Sequence, residues 1–491
     1  MGIVRHLQDS AIPSSSPECA ESSYRKGTDN HGVPPSGTWV LAALPDYARN
    51  NPLYAGPSLI HGWLPVAIQV VAALALVVGL YRRPRSWLRV WGPGAAVCGA
   101  GAGALAYWYI TSQGMADNPP PLMLWIWIGF AAVALVIAIV GWVGTRWLRR
   151  GVMVLAAPLC LLAALTVLNQ WIDYYDTLRL AWAAVTAGPL PGETDMAAVQ
   201  DLKGKGPTAT GHVVPVDIPA DVAGFQHRTE YVYLPPAWFA SPAPPKLPAV
   251  VMISGAWSTP ADWVRQGNAA GAMDRFAQSH DGVSPVLVFV DTGGTFNNDT
   301  ECVDGPRGNV AAHVTKEVIP YVNSEFETSP NPENWGVAGW SMGGTCAADL
   351  VITHPELFHS FIDMAGDLTP NAGTKEQTVE RLYGGDEKQW ALFDTLTALH
   401  SHRRYQDVAG WLDVSTTAKI RAGQEQLTGP IAAARLCDAA VPVGIDCAVV
   451  RRTGNHDWAY AQDAFAQAFP WIAGRLGTPG VPRAPLPVPN A

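Results

Sequence analysis

The run Gly339-Trp340-Ser341-Met342-Gly343 ends an apolar stretch and opens a small-residue stretch, Thr345 to Thr353, with helical character. A nucleophilic serine needs that setting, because a sharp strand-to-helix turn forces it into a strained backbone conformation beside which only small neighbours fit. Ser341 is therefore the candidate nucleophile. A serine hydroxyl attacks only when a base takes its proton and a carboxylate orients that base. The candidate base is His456, in Gly454-Asn455-His456-Asp457-Trp458, directly after an apolar run ending at Arg451. His400 and His402 flank a basic, helix-like stretch and read as surface residues. For the acid, Glu425 lies between a strand and a helix starting near Pro430, while Asp413 lies within the preceding strand; both also fit as solvated surface carboxylates. Backbone amides of Met342 and Ala256 are placed to hold an oxyanion, with Trp257 next to the latter.

These residues need a scaffold. Short apolar runs at Val213 to Ile218, Glu230 to Leu234, Leu247 to Ser254, Pro285 to Asp291, Trp335 to Trp340, Ser360 to Met364, Gly410 to Val414 and Ile445 to Arg451 read as strands. Helical stretches between them predict a mostly parallel sheet with crossover helices, the α/β hydrolase fold, over residues 211–477. In such a sheet reactive groups gather at the carboxyl ends of the strands, where the Ser341 turn falls. A linker is expected over 173–210, and the proline-rich tail over 478–491 cannot pack as a helix.

Upstream, the chain changes character. Four long, nearly uncharged segments near 61–80, 94–111, 122–144 and 151–170 predict four transmembrane helices within residues 59–172, the second being rich in glycine. Arg82, Arg83, Arg85 and Arg89 follow the first span, and Arg146, Arg149 and Arg150 follow the third, so these short loops are expected to be cytoplasmic. The loop carrying Asp117 and the segment Asp173-Tyr174-Tyr175-Asp176 then face outward, and the C-terminal half lies outside the plasma membrane. The first span lies far from the start, with no basic region before it, and reads as a retained anchor. Residues 1–58 read as a polar, disordered tail.

The net charge of −9 leaves no basic face for nucleic acid. The seven cysteines show no metal-type pairing, and the chemistry calls for no metal or organic cofactor. Cys437 and Cys447 are candidates for a disulfide in an oxidising compartment, whereas Cys346 reads as a small buried apolar residue.

Taken in order, several stretches over about 228–475 resemble the esterase family that includes the mycobacterial mycolyltransferases of the antigen 85 complex. Tyr231 to Pro235 resembles the strand leading into that core, and Ile253 to Trp263 its oxyanion loop. Asp291-Thr292-Gly293-Gly294 stands in the place of its glycine-rich loop, and Gly339 to Gly343 in that of its nucleophile turn. The histidine segment is similar to Gly454-Asn455-His456-Asp457-Trp458-Ala459-Tyr460. The resemblance implies a serine acyl-enzyme that passes its acyl group to a sugar hydroxyl or to water. It also favours Glu425 as the acid and places Trp458 by the substrate. Where the family's trehalose-contacting loop has an acidic residue and an arginine, this chain has Ser254 and Trp257, so trehalose specificity does not carry over.

The leading expectation is a membrane-anchored serine esterase or acyltransferase acting on an acyl ester or glycolipid at the bilayer, possibilities that include mycolyl-type envelope lipids. The rivals are a broad carboxylesterase, a hydrolase-like binding module, and a helix bundle that itself transports or senses; against the last, the spans hold almost no ionisable residue.

Overall fold

The computed structural model describes residues 56–80, 85–112, 120–142, 145–186, 188–295, 297–402, 404–418 and 426–487. Most of the expected tail over 1–58 lies outside these residues, as do Arg82, Arg83 and Asp117.

The C-terminal half is built on one sheet of eight strands, numbered in chain order: β1 His212–Val216, β2 Glu230–Leu234, β3 Ala249–Ile253, β4 Val286–Val290, β5 Trp335–Trp340, β6 Ser360–Met364, β7 Val408–Ser415 and β8 Ile445–Arg452. Their order across the sheet is β1-β2-β4-β3-β5-β6-β7-β8, with β1 and β2 antiparallel to their neighbours and the rest parallel. Every residue of β3 to β7 is buried. Helices cover both faces of these strands, which is why they read as continuous apolar runs rather than alternating ones. Val251, Val288, Val337 and Leu412 face the side covered by the helix Met342–Thr353. Met252, Phe289, Ala338 and Ile362 face the helix Trp458–Arg475. In the register, Gly339 of β5 lies between Ile253 and Asp363, so the Ser341 turn emerges at the carboxyl edge between the ends of β3 and β6.

Among the described residues, the N-terminal region holds four helices, α1 Trp63–Leu80, α2 Arg85–Ser112, α3 Leu122–Val140 and α4 Trp147–Ile172. Among the described residues, three of them, α1, α3 and α4, are long and apolar enough to cross a membrane. Of the four expected spans, three have helices of sufficient length and apolarity; α2 has the length, 28 residues, but its glycine-rich middle lowers its hydropathy. Gly99 and Gly103 serve packing, since a Cβ at Gly99 would stand 2.9 Å from the Gly129 carbonyl oxygen on α3 and one at Gly103 3.2 Å from that of Trp125. Val66, Val70, Leu74, Leu135, Ile139 and Leu161 point outward from the bundle, an arrangement suited to lipid rather than water.

Between bundle and sheet, residues 173–210 carry two short helices, Leu178–Val185 and Met196–Leu202, and Val199 of the second is buried in the catalytic core. At the other end, the described part of the proline-rich tail has no helix; Val481 and Leu486 pack on the core and Arg483 pairs with Asp407. Cys437 and Cys447 are joined in a disulfide. Cys346 corrects the sequence reading, because it is bonded to Cys302, 44 residues away, tying the loop after β4 to the nucleophile helix.

Candidate active site

Ser341 follows β5 directly and caps the helix Met342–Thr353 with φ 58° and ψ −125°. That conformation costs a non-glycine residue on the order of 1–3 kcal/mol. It is held by the Ser341 amide donating to the Met364 carbonyl at 2.8 Å and by the Gly344 amide donating to the Ser341 carbonyl at 2.8 Å. The flanking glycines are obligatory: a Cβ on Gly339 would land on the carbonyl oxygen of Gly343, and one on Gly343 would land on that of Ile253.

The turn aims Ser341 Oγ at His456 Nε2, 2.9 Å away. His456 sits in the loop after β8, which is fastened to the end of β7. The Gly454 carbonyl accepts from Ser415 Oγ at 2.6 Å and Thr417 Oγ1 at 2.8 Å. One face of the imidazole lies against Trp340, with ring centroids 5.3 Å apart. Burial pushes its pKa down to about 4, so at neutral pH the ring keeps the lone pair a base requires.

The two acid candidates part company here. Asp413 is fully buried, and its carboxylate is taken by Arg452, Nε to Oδ1 and Nη2 to Oδ2 both at 2.6 Å, and by the Tyr460 hydroxyl at 2.7 Å. Asp413 is thus held in a buried ion pair, and among the described residues it makes no bond to His456. Glu425 lies outside the described residues, and among those described no group bonds to His456 Nδ1.

Of the oxyanion candidates, Met342 is the first helical residue after the nucleophile, and Ala256 lies in the turn after β3. Their amides donate to no described residue. The β3 turn is close, since a Cβ on Gly255 would stand 3.1 Å from that of Ser341. Trp257 is half-buried in this turn with φ 71°. Trp458, expected beside the substrate, is instead almost fully buried behind the site, packed between Trp340 and Trp263 with centroid distances of 4.7 and 5.3 Å. It supports the Trp340 ring on which His456 rests. His400 and His402 are exposed.

Sequence reasoning missed a second layer. Asp291 directly follows β4 and receives Arg228 Nε at 3.0 Å together with the Gly293 and Gly294 amides. The Arg228 Nη2 also donates to the Ser258 carbonyl at 3.0 Å. Burial alone would raise the Asp291 carboxyl, but Arg228 and these amides hold it below its ordinary value. A carboxylate at a strand end with an arginine just before another strand was visible in the sequence; that the two met was not.

The sequence model of the family described as "Putative esterase" matches residues 225–472, half of the chain. The chain belongs to this esterase family. An uncharacterized protein of Corynebacterium glutamicum is 26% identical over 430 residues, covering 84% of this chain and 95% of that protein, so the similarity reaches into the helical region. Among solved structures, a ferulic acid esterase is similar at 19% identity and TM-score 0.44 over 55% of this chain and 99% of its own. The S-formylglutathione hydrolase of Agrobacterium tumefaciens is similar at 20% and 0.44 over 55% and 97%. MPT51 of Mycobacterium tuberculosis is similar at 14% and 0.35 over 53% and 99%. The catalytic half of this esterase has the α/β hydrolase fold, with its mostly parallel sheet.

One other cluster could in principle hold a metal: ligand atoms of His227, Glu230 and His313 lie within 4.8 Å of one another. Each ring nitrogen there already faces an oxygen. His227 approaches the Arg228 and Ile218 carbonyls at 2.9 and 2.7 Å, and His313 approaches Glu317 and Glu230 at 2.7 and 3.3 Å. With a carboxylate at each nitrogen, the His313 ring suits a proton rather than a metal cation, and the His227 nitrogens are already taken up by carbonyl oxygens.

Proposed function

We propose that this esterase is a membrane-anchored serine acyl hydrolase or acyltransferase whose catalytic half lies outside the plasma membrane. The observation that carries the reading is the 2.9 Å approach of Ser341 Oγ to His456 Nε2 on a strained turn. His456 takes the Ser341 proton as Oγ attacks the ester carbonyl, and the amides of Met342 and Ala256 stabilise the oxyanion. The imidazolium then protonates the departing alcohol, leaving an acyl-enzyme. A second hydroxyl, of water or of a sugar, gives its proton to His456 as it attacks the acyl carbon, and the imidazolium passes that proton to Ser341 Oγ as the serine–acyl bond breaks. Glu425 orients the imidazole: with Asp413 held by Arg452, it is the one carboxylate in residues 419–425 that follow β7.

Orientation rests on the arginines beside the first and third spans, and α2 completes a four-span anchor by packing along α3. Two disulfides in the catalytic half favour an oxidising compartment. A lipid ester of the envelope, mycolyl-type lipids included, fits an active site tethered at the bilayer, where acyl chains are concentrated. Labelling of the purified full chain with a fluorophosphonate probe tests the core of the proposal. Ser341→Ala is expected to abolish labelling and ester hydrolysis together, and undiminished labelling of that variant would remove Ser341 from the mechanism. For the substrate, a deletion strain is expected to accumulate an acylated lipid donor; an unchanged lipid profile would count against an envelope substrate.

A further inference from the structure

The loop that carries the Ala256 amide is fastened to the chain as it leaves the last apolar helix. Tyr174 stands two residues beyond the end of α4. Its hydroxyl donates to Asp262 Oδ2 at 2.8 Å and reaches the Trp257 carbonyl at 3.5 Å. Asp262 is the hub of that loop: Oδ2 also accepts the Thr259 amide at 2.7 Å and hydroxyl at 3.0 Å, and Oδ1 accepts Gln266 Nε2 at 3.0 Å. The Thr259 carbonyl in turn accepts Ser254 Oγ at 3.0 Å. Between these anchors Trp257 is held in the left-handed region, which a tryptophan does not occupy unless its surroundings impose it. Burial, and then the Asp262 charge, raise the Tyr174 phenol well above its ordinary pKa, so it remains a donor at every working pH.

The segment bearing Tyr174 is itself tied to the entrance of the bundle. Ser58 and Thr177 form a β-bridge, the Leu59 amide donates to the Asp176 carbonyl at 2.9 Å, and the Leu178 amide donates to the Pro57 carbonyl at 3.1 Å. Gln170 of α4 reaches the Ile60 carbonyl at 2.8 Å. Asn169 brackets Tyr175, accepting its amide at 2.8 Å and donating to its carbonyl at 3.0 Å. The chain entering α1 and the chain leaving α4 therefore form one small unit, from which Tyr174 reaches the oxyanion loop.

We propose that Tyr174 is a positioning residue for the oxyanion loop, so that the membrane helices form part of the working active site as well as anchoring it. The inference rests on the serine-esterase reading above. An amide that meets charge only in the transition state contributes to kcat and not to ground-state binding, and a shift of a few tenths of an ångström weakens it. Removing the Tyr174 hydroxyl leaves Asp262 with its Thr259 and Gln266 partners, so the loop persists but loses this tie to the bundle.

The test uses the full chain in detergent and a water-soluble p-nitrophenyl ester, with rates normalised to active sites titrated by the fluorophosphonate, so that a partly unfolded variant is still read. Tyr174→Phe is expected to lower kcat about 10-fold with KM within about twofold of wild type. Asn297→Ala breaks a different contact with the bundle, the 2.8 Å bond to the Tyr109 hydroxyl, and is expected to leave kcat unchanged. A Tyr174→Phe enzyme with wild-type kcat, or one changed only in KM, overturns the inference, as does an Asn297→Ala enzyme that loses as much. A wild-type chain that neither labels nor turns over, or a Ser341→Ala variant that still does, fails the serine-esterase reading instead.

Discussion

His456 and His313 show how one side chain is put to opposite uses in two regions of the same domain. At the carboxyl edge of the sheet, His456 meets the Ser341 hydroxyl through one nitrogen and the Trp340 ring through one face, and burial drives its pKa down to about 4. Beside β2, His313 is wholly buried, and burial would lower it too. Glu230 and Glu317, one at each ring nitrogen, more than offset that and raise it. His227 stacks on His313 with centroids 4.7 Å apart, its own nitrogens facing carbonyl oxygens. Depth is thus a poor guide to what a histidine does. A nitrogen facing a hydroxyl is available as a base, whereas a ring flanked by carboxylates is held as a structural cation.

The comparison breaks most sharply on exchange of the two rings. His456→Ala is expected to lower kcat by about 10⁶-fold, with the Ser341→Ala, His456→Ala double variant no worse than either alone, because the pair acts as a unit. Its melting temperature should stay near wild type, since among the described residues His456 makes one hydrogen bond. Steady-state kinetics on the p-nitrophenyl ester and thermal melts check both halves. A large loss of stability with residual catalysis would make His456 structural, like its counterpart.

The next effect concerns the carboxylate that completes the catalytic side. Glu425→Gln is expected to cost about 10⁴-fold in kcat, by analogy with amide replacements of a triad acid. It should also shift the acid limb of the kcat/KM profile. Neutral imidazole is the active form, and an anionic partner raises its pKa. With the partner gone, the depression due to burial acts alone, and the limb moves to lower pH. Asp413→Asn supplies the contrast: breaking its buried pair with Arg452 is expected to cost about 3–5 kcal/mol of stability, with the acid limb unmoved. An Asp413→Asn profile displaced like that expected for Glu425→Gln would reverse the assignment.

Much of this was legible in the chain, and its limits are instructive. The central strands β3 to β7 were readable because doubly covered strands must be apolar nearly throughout, as Ala249–Ile253 and Val286–Val290 are. Ser341 and His456 were readable because each sits where a strand must end. Asp413 remained ambiguous because its partner Arg452 lies on another strand. Only the β7–β8 pairing, with Val450 opposite Asp413, brings that guanidinium within reach. Cys346 was misread for a similar reason: nothing local to it announces Cys302. Trp458 was misplaced because position next to a catalytic loop does not reveal which way a ring points. Tyr174 lay in what read as a connecting segment, and its role depends on Asp262, 88 residues on. Local pattern disclosed the elements and the residues at their ends, while contacts between side chains distant in sequence required the fold.

The smallest expected effect lies on the structural side of the comparison, in the pH dependence of stability. The folded pKa of His313 is raised above its unfolded value of about 6.5. Its charge-paired contribution is therefore fully present below that unfolded value and is lost as pH rises through the folded pKa. Glu317 contributes in the opposite sense: burial would raise it, but the bonds from His313 and the Val222 and Ala223 amides depress it, so its share is present above its unfolded pKa and is lost on acidification. Between those two limits the cluster is most stabilising, and from pH 6 to pH 9 its contribution to the melting temperature should fall through His313. His313→Gln keeps two polar positions facing Glu230 and Glu317 but cannot carry charge, so its melting temperature should be lower at pH 6 and should lose that part of the slope. Equal slopes in wild type and variant would show that the ring between the two carboxylates is not held as a cation, and His313 would then differ from His456 in its neighbours but not in its charge.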